Sequence, residues 1–235
     1  MTNVTIYYER VEELTSERVQ KTYPQGMAEA IASAIRSDEV SVRCFFLSNV
    51  EEITQEVLKN TDVLIWWGHM AHKKVPDEIA QMVQQEVLKG MGAIFLHSAH
   101  HSKPFKLLMG TSCNLTWREN GDSERVWVTN PAHPIARGLG RFIKLNEVET
   151  YGEPFDIPEP DELVFIGGYS GGEVFRSGCC YRRGSGKIFY FQPGHETFPI
   201  FYNEDVRKVL RNAVQWVKPE YRVDELVCPH VGMPE

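Results

Sequence analysis

Residues 62–101 read DVLIWWGHMAHKKVPDEIAQMVQQEVLKGMGAIFLHSAHH. The stretch opens on one short apolar run, Asp62 to Trp67, and ends with another, Ala93 to Leu96, each the length of a buried strand. Between them Ile79, Met82, Val83 and Val87 recur at helical spacing. Pro76 opens that helix, where its missing N–H costs nothing, and Gly90 and Gly92 end it. Strand, helix and strand in this order predict a βαβ unit with parallel strands.

The same alternation extends outward on both sides. Asn3 to Tyr8 (NVTIYY) and Ser41 to Leu47 (SVRCFFL) read as strands. Met27, Ala30, Ile31, Ala34 and Ile35 mark a helix face between them, and Glu51 to Asn60 a short helix after them. Lys187 to Phe191 (KIFYF) is a later strand. The helix Glu204 to Val217 follows, with the stripe Val206, Val209, Leu210, Ala213, Val214 and Val217. Together these predict an α/β protein of flavodoxin-like type, a parallel sheet with helices on both faces. Right-handed crossovers then bring every carboxyl strand end to one edge, where ligands of such sheets bind.

From about Gly110 to Gly186 the pattern changes. Gly, Pro and short strand-like runs dominate: Arg125–Thr129, Arg141–Leu145, Leu163–Ile166, Glu173–Arg176 and Cys180–Arg182. This predicts an insertion of hairpins and loops (110–186) packed beside the main sheet. The chain is thus read as one domain over 1–218, followed by a tail, 219–235, that wraps the domain or pairs with a neighbour.

Hydrophobic residues at 42% and charged ones at 24% suit a globular chain with a buried core. No apolar run is long enough for a membrane span, and MTNVTIYYERVEE lacks the regions of a signal peptide. A cytoplasmic location is the expectation. Five cysteines, an odd number with no CxxC pair, fit a reducing compartment. A net charge of −7 without a Lys/Arg stripe makes nucleic acid a poor partner. Neither GxGxxG nor GxxxxGK[ST] occurs, so no nucleotide cofactor is expected. The Gly-rich segment 167–172 (GGYSGG) reads as a hairpin turn.

Five of the eight histidines fall between His69 and His101. His69 follows the strand ending at Trp67, and the i, i+3 spacing to His72 suits one side of a helical turn and a shared metal or anion. His97-Ser98-Ala99-His100-His101 follows the next strand. There Ser98 is a candidate nucleophile with a neighbouring His as base. Gly194-His195-Glu196 follows KIFYF and pairs an imidazole with a carboxylate for acid/base work. Glu149 and Tyr151 offer a carboxylate and a phenol at the pocket rim. Histidines at three strand ends predict a divalent transition-metal site, zinc first, at His69, His72, His97 and His195. Trp67, Tyr151 and His100 are candidates for contact with substrate, and Trp66 for the core. Catalysis is then expected from His195, Glu196, Glu149 and Ser98.

Several segments together resemble the trehalose-utilisation (ThuA-like) family: WWGHMAHKKV (66–75), LHSAHHSKPFKLLMGTSC (96–113), NPAHPIARGLG (130–140), ETYGEPFDIP (149–158), the run from Gly171 to Thr197, and LRNAVQW (210–216). The resemblance implies the class I glutamine amidotransferase-like fold and a role in carbohydrate metabolism beside sugar dehydrogenases that make 3-keto sugars. Amidotransferases of that class carry a Cys at the strand-to-helix elbow and a His-x-Glu motif later. Here the elbow reads His97-Ser98-Ala99 and the later motif Gly194-His195-Glu196, so a glutaminyl thioester cannot form. The expectation is an enzyme acting on a disaccharide or its 3-keto derivative, not a glutaminase. The alternative is a non-catalytic sugar-binding or regulatory subunit of a sugar dehydrogenase. A homo-oligomer is also expected.

Overall fold

The computed structural model describes residues 1–227 and 231–232; Cys228, His230 and the last three residues of the tail lie outside the described residues. In chain order the elements are β1 (Thr2–Tyr8), α1 (Val11–Thr15), α2 (Glu17–Thr22), α3 (Met27–Ile35), β2 (Val40–Phe46), α4 (Gln55–Lys59), β3 (Val63–Trp67), α5 (Asp77–Lys89), β4 (Gly92–Leu96), α6 (Lys103–Met109), β5 (Thr116–Val128), β6 (Phe142–Gly152), β7 (Glu162–Tyr169), β8 (Val174–Arg183), β9 (Gly186–Phe191) and α7 (Glu204–Val217). One nine-stranded sheet runs β2-β1-β3-β4-β9-β8-β7-β5-β6.

Its first five strands are parallel, in the flavodoxin order 2-1-3-4-5. The chain winds one way from β1 to β2 and the other way from β3 to β9. Right-handed crossovers therefore place α3 and α7 on one face and α4, α5 and α6 on the other. In keeping with this, α3 packs on α7, and α5 packs on α4 and α6. Every residue of β3 and β4 is buried, because helices cover both faces. The six-residue stripe of α7 is buried throughout; each Val or Leu there contributes roughly 1.5–3 kcal/mol.

The insertion departs from expectation. Its strands do not lie beside the sheet but prolong it: β8 pairs antiparallel with the free edge of β9, and β7, β5 and β6 follow. An exposed β9 edge is thereby covered. The separate runs 173–176 and 180–182 are one strand, β8, continuous through Gly178, where a Cβ would sit 2.3 Å from the Phe165 ring. The helix expected over Glu51–Asn60 is instead a 3₁₀ turn followed by α4, which starts at the Thr54 cap. The hairpin turn at the Gly-rich segment joins β7 to β8. Beyond α7 the chain folds back on its own domain: Val223 N–H donates to the Lys89 carbonyl (2.9 Å), and Arg222 donates to the Thr61 carbonyl (2.8 Å). Among the described residues no helix is long and apolar enough to cross a membrane.

Gly92 starts β4 where α7 ends. A Cβ there would stand 2.3 Å from the Val217 carbonyl oxygen. Gly92→Ala is expected to lower the unfolding free energy by about 2 kcal/mol, as overpacking does. Urea titration should show a lower midpoint at constant m. An unchanged midpoint would mean that the end of α7 yields freely.

Candidate active site

The carboxyl ends of β1, β3, β4 and β9 meet the last residues of β6, Glu149 to Tyr151. At the end of β1, Glu9 is buried and accepts the backbone N–H groups of His69 (2.9 Å) and Met70 (2.7 Å). This carboxylate holds residues 68–70 out of a helical turn. The i, i+3 spacing of His69 and His72 therefore does not align them. His72 starts a separate 3₁₀ turn and faces His101, with ring centroids 6.3 Å apart. It does not join the other predicted metal ligands.

His97 occupies the elbow after β4 with a left-handed backbone, φ 52°. That conformation costs roughly 1–3 kcal/mol in a non-glycine residue. Two contacts fix the ring. Nδ1 donates to the Gln192 carbonyl (2.8 Å), and the face stacks on Tyr151 at 4.9 Å and 15°. Nε2 then lies 2.8 Å from Glu149 Oε2, though not aligned for a hydrogen bond, and that oxygen has no other hydrogen-bond partner. Burial alone would raise the Glu149 pKa. The contact with His97 and the charges of His97, His195 and His69 outweigh it and hold the carboxyl below its ordinary value. Glu149 and Tyr151 are not on a rim loop after a strand, as the run ending at Leu145 suggests; β6 continues through both, and both are buried.

His69 Nδ1 lies 2.7 Å from Glu196 Oε1. Burial opposes its charge, but the hydrogen bond to Glu196 and the charges of Glu196, Glu149 and Glu12 prevail and push it up to about 9. Glu196 is held well below its ordinary value: burial is outweighed by the hydrogen bond with His69, by the neighbouring Glu12 carboxyl and by the charges of His69 and His195. Glu12, on α1, is pushed up to about 7 by the neighbouring Glu196 carboxylate and by burial.

His195 is buried between the two carboxylates, with Nε2 4.0 Å from Glu149 and Nδ1 3.6 Å from Glu196. Burial, then the charge of His97, lowers its pKa, so the ring is neutral near pH 7. Its Nδ1 accepts the Thr197 N–H (3.2 Å), which leaves the proton on Nε2.

A half-open cavity of about 240 Å³ lies over these groups. Glu149, His69, Tyr151, Ser98, His100 and Trp117 are among its walls. His195 and Glu196 are not; they stand behind His69 and Glu149. Ser98 reaches the cavity, but its hydroxyl donates to the Gly68 carbonyl (2.7 Å) and contacts no imidazole, so it lacks the base of a nucleophile. Trp67 is 2% exposed, donates Nε1–H to the Gly194 carbonyl (3.0 Å), and backs His69 edge-on. It offers no face to a ligand. Trp66 stacks on Tyr7 in the core. Burial, the charge of His101 and other cations keep His100 neutral; its Nδ1 donates to the Cys113 carbonyl (2.7 Å).

Among the described residues two groups have metal-ligand proximity: His97–Glu149–His195 and His69–His195–Glu196. His97 could turn Nε2 to a divalent cation, because its Nδ1–H is spent on a carbonyl, but Nε2 is also in contact with the Tyr151 hydroxyl (3.3 Å), which a metal would have to displace. The unpartnered oxygens of Glu149 and Glu196 fit too. His195 does not: the nitrogen facing Glu149 carries the proton, and the one facing Glu196 is taken by Thr197. Both groups depend on His195, so neither offers three free donors.

Three site residues escaped the sequence reading. Glu9 directly follows a strand end, a position that could have marked it. Glu12 sits on a helix with no buried residue, and Trp117 stands in a polar run, so neither gave a signal.

A 2-1-3-4-5 sheet, a strained elbow after β4 and a His195–Glu196 pair after the last parallel strand give the chain a class I glutamine amidotransferase-like α/β fold. The chain superposes on a glutamine amidotransferase from Thermotoga maritima with a TM-score of 0.55, at 14% identity over 91% of this chain and 96% of that one. Within that class it belongs to the ThuA family, described as trehalose utilisation, whose model matches residues 4–217. A structure from Bacteroides uniformis described as ThuA-like matches 92% of this chain and 90% of its own at TM-score 0.66 and 17% identity. Another so described, from Parabacteroides merdae, matches 95% and 92% at TM-score 0.64 and 11% identity. No curated protein sequence matches the chain.

Proposed function

We propose that this protein is an acid–base enzyme acting on a 3-keto derivative of a disaccharide. One observation carries the reading: an ionised Glu149 with an unpartnered oxygen and a cationic His69 line the same cavity. Two groups whose surroundings drive their pKa values apart suit a base and an acid working together. Glu149 takes the proton from the carbon next to the ketone. The C–H electron pair becomes the C=C of an enediol as His69 Nε2 gives its proton to the ketone oxygen. Glu196 and Glu12 hold His69 charged through Nδ1. His97 orients Glu149, and the neutral His195 separates the two carboxylates. Family membership supports a sugar as substrate. A divalent metal, zinc before others, would polarise the ketone if His97 and Glu149 held it, but His195 does not complete that site and no step here uses one.

The test is solvent exchange. A 3-keto-trehalose sample in D₂O should lose the NMR signal of a proton flanking the ketone at a rate set by enzyme concentration. EDTA dialysis is expected to leave that rate within about twofold. A tenfold fall that zinc restores would put a metal at His97 and Glu149. Saturable binding without exchange would instead make the protein a sugar-binding subunit, with a dehydrogenase as the natural partner.

A further inference from the structure

We infer that the cavity holds one uncharged pyranose ring and that Trp117 is a stacking platform for the second ring, which makes the enzyme selective for disaccharides over monosaccharides. The inference rests on the acid–base reading above and extends it outward from the floor of the site. A cavity of about 240 Å³ is smaller than the roughly 300–1,000 Å³ of most small-molecule pockets, so one ring fills it. It is also half open, and the wall at its mouth is the indole of Trp117, which is 67% exposed.

The position of Trp117 is fixed by strand pairing. In the β5–β6 ladder Trp117 stands directly opposite Tyr151, with Thr116 opposite Gly152. Directly paired residues in antiparallel strands project from the same face. Tyr151 in turn stacks on His97 beside Glu149. The two side chains thus project from one face of the sheet, Tyr151 beside the reacting carboxylate and Trp117 toward solvent. An aromatic face flanked by hydrogen-bonding groups matches the two sides of a pyranose, an apolar C–H face and a rim of hydroxyls.

The polar groups are present at the same mouth. His101 Nε2 contacts Asn114 Oδ1 (3.0 Å), while Asn114 Nδ2 has no partner among the described residues. His72 Nε2 is likewise buried without one. His72, His100 and His101 all line the cavity with pKa values lowered by burial and neighbouring cations. The outer cavity is therefore uncharged, and at its floor the carboxylate of Glu149 stands with the cationic His69. His69 is already paired with Glu196, so the lining residues offer no unpaired cation to offset the desolvation of a sugar phosphate.

Exchange kinetics on 3-keto-trehalose and 3-ketoglucose test this in wild type, Trp117→Ala and Trp117→Phe. Wild type should prefer the disaccharide in kcat/KM. Trp117→Ala should lower that preference tenfold or more, through KM for the disaccharide, with an unchanged melting temperature because the side chain is exposed. Trp117→Phe should keep the preference within threefold of wild type. A preference that survives Trp117→Ala, or a loss equal for both sugars, overturns the platform and leaves the acid–base reading standing. Absence of exchange with either sugar in wild type overturns both.

Discussion

Glu149→Gln should reduce solvent exchange into 3-keto-trehalose about 1,000-fold, the loss typical of removing a positioned general base. The substitution keeps the shape of the side chain and its place in β6. It removes the negative charge that faces His97, His195 and His69. The fold holds Glu149 below its ordinary value, so the lost charge should also lower the melting temperature modestly. A folded variant with exchange down by less than tenfold would sink Glu149 as the base. The pH profile gives an independent check, with signs fixed by the shifts. Glu149 is held below its ordinary value, so the base stays ionised through mild acid and the acid limb lies below the ordinary carboxylate range. His69 is raised to about 9, so the general acid is lost as pH rises through that value and exchange falls above it. Glu12→Gln removes an acidic charge that helps to hold His69 protonated and should shift only the alkaline limb, toward lower pH. A loss of rate with both limbs in place would mean that Glu12 acts elsewhere.

The legible and illegible parts of the chain divide on a physical basis. Strands β3 and β4 are sandwiched between helices, so each is an unbroken apolar run that composition alone reveals. The flavodoxin order and the functional edge follow from them, and with that edge the placing of His69, His97 and His195 near one another. The first half of β5 is hidden because residues 116–123 are polar and mostly exposed, so no alternation marks a strand. Its partner β6 then ends too early on paper, and Glu149 and Tyr151 look like loop residues. Spacing rules fail at His72 for another reason. They presume a helix, and the helix is prevented by Glu9, which lies sixty positions from His69 and captures its N–H. The elbow at residues 97–99 is legible from the sequence, with Ser98 as its candidate nucleophile, but which of its residues is strained is not. Only the backbone shows that the strained position is His97.

The second large effect concerns a group outside the cavity. Glu124 lies inside the sheet on β5, fully buried, beneath Gly167, where a Cβ would stand 2.3 Å from Glu124 Oε1. Ser177 Oγ donates to it (3.2 Å), and the Gln192 amide is positioned to donate to both oxygens at 3.2 Å. Burial dominates these bonds and pushes its pKa up to about 8 from 4.5. The folded chain therefore keeps a proton that the unfolded chain releases above 4.5. Protons bound in the native state exceed those in the unfolded state, so stability falls as pH rises. Between pH 5 and pH 9 the loss from this one group is about 4 kcal/mol by linkage. Glu124→Gln carries no titrating proton and should escape that loss. Urea midpoints of wild type and variant should nearly coincide at pH 5 and separate progressively to pH 9, with the variant more stable. A gap that is constant with pH would show that Glu124 titrates alike in both states. The coupling to function runs through Gln192, whose side chain meets Glu124 and whose carbonyl holds His97 Nδ1. Ionising Glu124 strengthens its hold on the Gln192 amide but leaves a charge in the sheet behind the elbow. Loss of stability at high pH should therefore be accompanied by looser His97, read as faster exchange of the ring Nδ1 proton in wild type than in Glu124→Gln.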